Sequence, residues 1–311
     1  AIGLTALGGA LVTGINNIAM GSTAMDALTS GHTNVAIGTN ALGASTTGCL
    51  NVAIGELALG GAVTTGKCNI ALGVNAMDAL TSGLDNIAMG VNSLGASTTG
   101  QHNIAIGHTA LGGADTTGSS NIAIGVNAMD ALTTGICNIA MGVNALGAST
   151  TGCLNIAIGE YALGTATLTG INNIAIGTNA ADALTSGTTN IAIGANALGA
   201  SLTSTNSIAI GCLAMSSAVT GNSNIALGRE ASKSLVGAIS CNISIGYRAL
   251  YTSTGGGGNI AIGDEVMGGA DTTGANNIAI GACTADALTS GGDNIAIGRS
   301  ALGAATDNHD N

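Results

Sequence analysis

The chain has 311 residues, yet Phe, Trp and Pro are absent, only three Tyr are present, and Gly reaches 52. Charged residues make up 7% and the net charge is −11 with five basic residues, so neither a run of phosphates nor an anionic membrane surface would find counter-charge here. The 46% hydrophobic content excludes disorder by composition, and no apolar run reaches the ~18 residues of a transmembrane helix.

In chain order, the first full element is Asn17-Ile18-Ala19-Met20-Gly21, and it returns throughout the chain. Its Asn falls at Asn17, Asn34, Asn51, Asn69, Asn86, Asn103, Asn121, Asn138, Asn155, Asn173 and Asn190. Ser207 takes the next place, followed by Asn224, Asn242, Asn259, Asn277 and Asn294. The steps are 17 or 18 residues, running 17, 17, 18 through Asn173, which gives a 52-residue super-period of three coils. One coil type reads Ala-Leu-Gly-Gly-Ala-x-Thr-Thr-Gly (58–66), the second Ala-Met-Asp-Ala-Leu-Thr-Ser-Gly (24–31), and the third Ala-Leu-Gly-Ala-Ser-Thr-Thr-Gly (41–48).

Such a period is too short for helical-hairpin repeats and suits one turn of a β-solenoid. The alternating Ile-Ala-Ile favours a strand, and the Gly that follows permits a sharp bend. A helix is excluded, because Gly every four to nine residues would cost about 1 kcal/mol each in its interior. Absence of Pro fits a chain whose backbone N–H groups donate to the next coil. The sequence therefore predicts an all-β fold, a parallel β-solenoid (β-roll) of about 18 coils with 17–18 residues each. It is expected to be one continuous solenoid over 1–311, six super-repeats without separate caps, roughly 86 Å long at about 4.8 Å per coil.

Alternation places Ile70 and Leu72 on one face and Ala71 and Gly73 on the other. The large residues are predicted to fill the interior, leaving an outer ladder of Ala and Gly to pack against another solenoid. The Asn column is predicted to be a structural ladder, each side chain bonding to the next coil. Asp26, Asp78, Asp130, Asp182 and Asp286 recur in every third coil, with Ser234 in place of the sixth. At about 14 Å apart they would be too distant to share a calcium ion, and they read as solvated charges that keep the rod soluble. The position five after each Asn is unconstrained (Glu56, His108, Arg229, Tyr247, Asp264) and reads as a solvent-facing corner.

Cys49 with Cys68, and Cys137 with Cys153, precede successive Asn residues and are candidate disulfides on adjacent coils, which would fit an oxidising, extracellular setting. Cys212, Cys241 and Cys283 have no evident mates. No metal site, cofactor motif or catalytic triad is expected. His32, His102, His108 and His309 lack partners at ligand spacing, and 255–258 is a turn without the Lys-Ser/Thr of a phosphate loop. The acid pairs nearest a glycosidase arrangement, at Arg229-Glu230 and Asp264-Glu265, lie in turns with no aromatic sugar platform, so no enzyme activity is expected.

The unit Asn-x-Ala-Ile-Gly-x-x-Ala-Leu with a following Thr-Thr-Gly resembles the head repeats of trimeric autotransporter adhesins (the YadA-like, Hep/Hag class) and related repeats of phage tail fibres. Tyr247-Arg248-Ala249-Leu250-Tyr251-Thr252-Ser253-Thr254-Gly255 is especially similar to the tail-fibre form. The resemblance covers essentially the whole chain. It implies a left-handed parallel β-roll, three chains about one axis, and a role in adhesion or as a spacer.

The expected function is a structural component of an extracellular or surface fibre, a filament subunit or adhesin-like shaft. Its partners would be copies of itself, end to end or as a trimer, without nucleic acid or membrane insertion. Ala1-Ile2-Gly3 and Asn311 nearly rebuild the motif when placed head to tail, which motivates the end-to-end form. The alternative is an ice-binding solenoid, motivated by recurring pairs such as Thr46-Thr47 and Thr64-Thr65.

Overall fold

The computed structural model describes residues 1–217, 220–307 and 309, so Asn311 lies outside the described residues. The fold is an all-β parallel solenoid; partner residues on adjacent coils are 17 or 18 positions apart, as in Ile18↔Val35 and Val52↔Ile70.

The chain divides into two compact units, Ala1–Leu154 and Asn155–Asn311. The first holds β1 (Ile18–Met20), β2 (Val35–Ile37), β3 (Val52–Ile54), β4 (Ile70–Leu72), β5 (Ile87–Met89), β6 (Ile104–Ile106), β7 (Ile122–Ile124) and β8 (Ile139–Met141). The second holds β9 (Ile156–Ile158), β10 (Ile174–Ile176), β11 (Ile191–Ile193), β12 (Ile208–Ile210), β13 (Ile225–Leu227), β14 (Ser234–Leu235), β15 (Ile243–Ile245), β16 (Thr252–Ser253), β17 (Ile260–Ile262), β18 (Ile278–Ile280) and β19 (Ile295–Ile297). Within each unit the three-residue strands stack in parallel without slippage, Ile over Ile and Ala over Ala. Among the described residues only β14 and β16 form a separate two-stranded sheet.

Each strand stops at its Gly because the chain there adopts φ near +135°, as at Gly73 and Gly107, outside the reach of an ordinary side chain. A Cβ at Gly73 would also strike the carbonyl of Gly90 in the next coil.

The faces of the strand are the reverse of the expectation. Ala71 is 0% exposed, whereas Ile70 is 42% and Leu72 39% exposed. The Ala column points inward along both units, and the Ile, Val, Leu and Met columns form the outer surface. The reason lies across the lumen. Six and eight residues after each Asn the chain enters the left-handed region, as at Asn75 (φ 55°) and Met77 (φ 53°). The second of these turns drives a Leu or Met inward, and Met25, Leu42, Leu59, Met77 and Leu94 are all fully buried. A left-handed non-Gly residue costs about 1–3 kcal/mol, while burying a Leu or Met contributes about 1.5–3 kcal/mol, so the second turn roughly balances. With that wall occupied by large side chains, a coil of 17 residues leaves room only for Ala opposite.

Buried hydroxyls tie unlike coils together in the lumen. Ser45 Oγ donates to the Thr64 carbonyl at 3.0 Å, and Thr64 Oγ1 donates to the Leu80 carbonyl at 3.0 Å. The next super-repeat does the same with Ser97, Thr116 and Leu132. These directional bonds explain why the repeating block is three coils.

Candidate functional site

The Asn column is a continuous hydrogen-bond ladder within each unit. Asn69 Oδ1 accepts from the backbone N–H of Asn86 at 3.0 Å and from its Nδ2 at 3.1 Å, while Asn86 Nδ2 also donates to the Gly100 carbonyl at 2.8 Å. The pattern recurs at Asn121 on Asn103 and at Asn190 on Asn173. At Ser207 the hydroxyl stands in for the amide and accepts from the Asn224 N–H over a longer 3.3 Å. The column is buried and its polar atoms are committed to the backbone.

The Asp column is only half exposed, which differs from a freely solvated charge. Asp26, Asp78, Asp130 and Asp286 each tuck against a Gly of the preceding coil: a side chain at Gly113 would meet Asp130 Oδ1 at 2.5 Å, and one at Gly269 would meet Asp286 at 2.6 Å, whereas Asp182 faces Thr165, whose Oγ1 lies 3.5 Å from its Oδ2. The Gly-Gly of one coil type thus makes room for the Asp of the next. Lys233, not Ser234, occupies this place in the coil that begins at Asn224: the Ser234 N–H bonds the Tyr251 carbonyl as the Ala27 N–H bonds the Gly43 carbonyl. Burial raises the Asp78, Asp130 and Asp182 carboxyls above their ordinary value, partly offset at Asp78 by the Gly61 N–H and at Asp130 by the Gly113 N–H.

A raised folded-state value means the folded chain favours the protonated form. That contribution is fully present below the ordinary carboxyl range and is lost as pH rises through the raised values. The triple variant Asp78→Asn, Asp130→Asn, Asp182→Asn is expected to melt above the parent at neutral pH. The gap should close on acidification to about pH 4, near the ordinary carboxyl value, when melting is followed by circular dichroism.

Many Thr hydroxyls face the backbone, while Thr98 and Thr254 bond to the Asp115 and Asp271 carboxylates. Thr29, Thr81 and Thr133 donate to the carbonyls of Thr46, Thr98 and Thr150 at 2.9–3.0 Å. All seven cysteines are free thiols. Cys49 lies opposite Lys67, one column away from Cys68, and Cys49 is buried while Cys68 is exposed. Cys137 and Cys153 occupy the same offset columns. The candidate bridges Cys49–Cys68 and Cys137–Cys153 are not formed, since Cys68 and Cys137 stand in the left-handed bend one position beyond the residue that faces the partner Cys. Among the described residues no three His, Cys, Asp or Glu side chains converge as a metal site requires.

One cluster stands apart from the repeat. Three of the chain's five basic residues and two of its three Tyr gather on the coils that begin at Asn224 and Asn242. Glu230 is 5% exposed, and its carboxylate accepts from Arg248 Nε at 2.7 Å with Arg229 Nη2 at 3.6 Å. The Arg248 hydrogen bond holds the Glu230 carboxyl below its ordinary value. The Arg248 guanidinium lies 5.1 Å from the ring centres of both Tyr247 and Tyr251, Arg229 lies 5.9 Å from Tyr247, and Lys233 lies 5.5 Å from Tyr251. Two Tyr rings thus lie beside these acids, which the sequence alone does not place there, and the cations over them occupy the faces on which a sugar would stack. Residues one coil apart in sequence are neighbours in space, and Arg229, Tyr247 and Asp264 share a column.

No protein-family model matches the chain, and no curated protein matches it.

Proposed function

We propose that this chain is a structural subunit of a multi-chain surface or extracellular fibre, packed side by side with copies of itself through the outer Ile face. The single observation that carries the reading is the direction of the strands. Two unbroken columns of large aliphatic side chains face outward from each unit, against the usual arrangement of a strand bordering water. The eight strands of the first unit present sixteen such side chains, two each. Covering the exposed part of each contributes roughly 0.5–1 kcal/mol, on the order of 10 kcal/mol for the unit. Association itself costs about 4–15 kcal/mol, so a short stretch of this face is marginal and a long one is adhesive. A second copy offers the same aliphatic columns at the same coil spacing, so side chains can interleave along the whole length. Three chains about one axis is the arrangement implied by the resemblance to adhesin head repeats, and the extracellular setting rests on that resemblance as well.

The test is mass determination by sedimentation and by electron microscopy. The purified chain is expected to form multimers of defined mass per length. The variant Ile70→Lys, Ile104→Lys, Ile122→Lys is expected to sediment as single chains with an unchanged circular dichroism spectrum. A parent protein that stays a single chain at high concentration would overturn the reading. The Thr64, Thr65, Thr116 and Thr117 hydroxyls already donate to backbone carbonyls, and the fibre reading predicts no thermal hysteresis.

A further inference from the structure

We propose that the groove beside Tyr251 is a recognition site for a neutral saccharide, taking one pyranose ring of a glycan chain. The inference is independent of the fibre reading. A cavity of about 190 Å³ is lined by Arg248, Tyr251, Glu265, Gly268, Gly269 and Asp286. The same backbone framework recurs earlier in the chain, with Gly60-Gly61 and Asp78 in the places of Gly268-Gly269 and Asp286. There, however, Asn40, Gly43 and Leu57 stand where this groove has Arg248, Tyr251 and Glu265. The repeat thus supplies its own control: the scaffold needs none of these three side chains.

Three further departures from the repeat coincide with this place. Glu230 is a buried carboxylate in a column otherwise occupied largely by Asn, Thr and Leu, and such burial is costly unless it fixes a partner. Its partner is Arg248, which it clamps at 2.7 Å. Among the described residues the extra strands β14 and β16 occur only here. Ser232 and Ser244 replace the usual inward Leu or Met and inward Ala, and their hydroxyls pair at 2.7 Å beneath the patch. The result is a donor, Arg248, held in place by Glu230, with an exposed acceptor beside it, Glu265 Oε1, 4.0 Å from Arg248 Nη1. Rigid, already oriented polar groups bind hydroxyls with little ordering cost.

The charge pattern selects the ligand class. An anion would face Glu265 and Asp286, and a cation would face Arg248 and Lys233. A neutral vicinal diol can accept from the guanidinium with one hydroxyl and donate to the Glu265 carboxylate with the other. Gly268 and Gly269 keep the floor free of side chains, and the volume is below the roughly 300–1,000 Å³ of drug-sized sites, suiting a single ring. The faces of Tyr247 and Tyr251 are engaged by Arg229, Arg248 and Lys233, so recognition rests on hydrogen bonds rather than stacking, which makes it sensitive to hydroxyl stereochemistry.

Saturation-transfer NMR on the full chain would test this with methyl glycosides of glucose, galactose, mannose and N-acetylglucosamine. At least one is expected to bind, its epimers more weakly. Glu265→Gln, and Tyr251→Phe, which deletes the part-buried hydroxyl that accepts from Lys233 Nζ at 3.3 Å, are each expected to weaken binding about three- to tenfold, as loss of a single hydrogen bond does, with an unchanged circular dichroism spectrum. Transfer to none of the glycosides would overturn the proposal. So would signals that persist unchanged in both variants, or stronger competition by butylammonium or acetate than by any sugar.

Discussion

Replacing Ala105 with Leu is expected to destabilise the first unit by about 3 kcal/mol or more, whereas replacing its neighbour Ile104 with Thr should cost the fold less than about 1 kcal/mol. On sequence alone the reverse would be expected, since Ile is the larger and more hydrophobic residue. The difference follows from direction. Ala105 is 0% exposed and faces the buried Leu and Met column, so three added carbons have no space to enter. The Ile104 side chain lies on the outer surface and can change without disturbing the lumen. Because a solenoid opens locally, the measurement is hydrogen exchange of the amides in β5, β6 and β7 rather than a single global melting point. The Leu variant should lose protection across all three strands and the Thr variant across none. Equal effects would mean that neither face is packed as described.

Asn86→Ala should be nearly as damaging, at about 2–5 kcal/mol, although it deletes only one polar side chain. The Asn86 carboxamide serves two backbone groups: Oδ1 accepts from the Asn103 N–H at 2.9 Å, and Nδ2 donates to the Gly100 carbonyl at 2.8 Å. Both groups are left in the lumen without a partner or water, and each such loss costs about 1–3 kcal/mol. Asn86→Ser is the informative companion. The chain carries that replacement at Ser207, where the hydroxyl still receives the Asn224 N–H, so Ser should recover about half of the loss. Thermal melts of the two variants would check the order. Parent-like stability of Asn86→Ala would remove the ladder from any account of what holds the coils together.

The repeat, the strand position and the Asn column were legible in the sequence because each is a one-dimensional signal. The period counts residues, Ile-Ala-Ile-Gly alternates, and Asn recurs. The direction of the strands was not legible in the same way. Alternation states which residues share a face but not which face is inside, and size alone points to Ile. The deciding element is the left-handed turn that carries Met77 or Leu94 inward, and left-handed backbone is ordinarily read from Gly. A signal was nevertheless present. Asn, which tolerates that conformation, sits six after the ladder Asn at Asn75, Asn92, Asn127 and Asn144. The middle strand residue is Ala in every coil but one, where it is Ser244, while its neighbours vary among Ile, Val, Leu and Met. Invariant smallness marks confinement. The Tyr–Arg cluster escaped notice because Arg229, Tyr247 and Asp264 look distant until the chain is folded at the coil period.

The contact of Asp26, Asp78, Asp130 and Asp286 with a Gly of the preceding coil bears on how such a chain can lengthen. Loss of the coil that carries Gly61 would set Asp78 against Ala44, whose methyl group occupies the space the carboxylate needs. The Ser45 hydroxyl would at the same time lose the Thr64 carbonyl to which it donates. Deleting this one coil is therefore expected to lower the melting temperature more than deleting a whole 52-residue block of three coils, which keeps each Asp and each lumen hydroxyl opposite its present kind of neighbour.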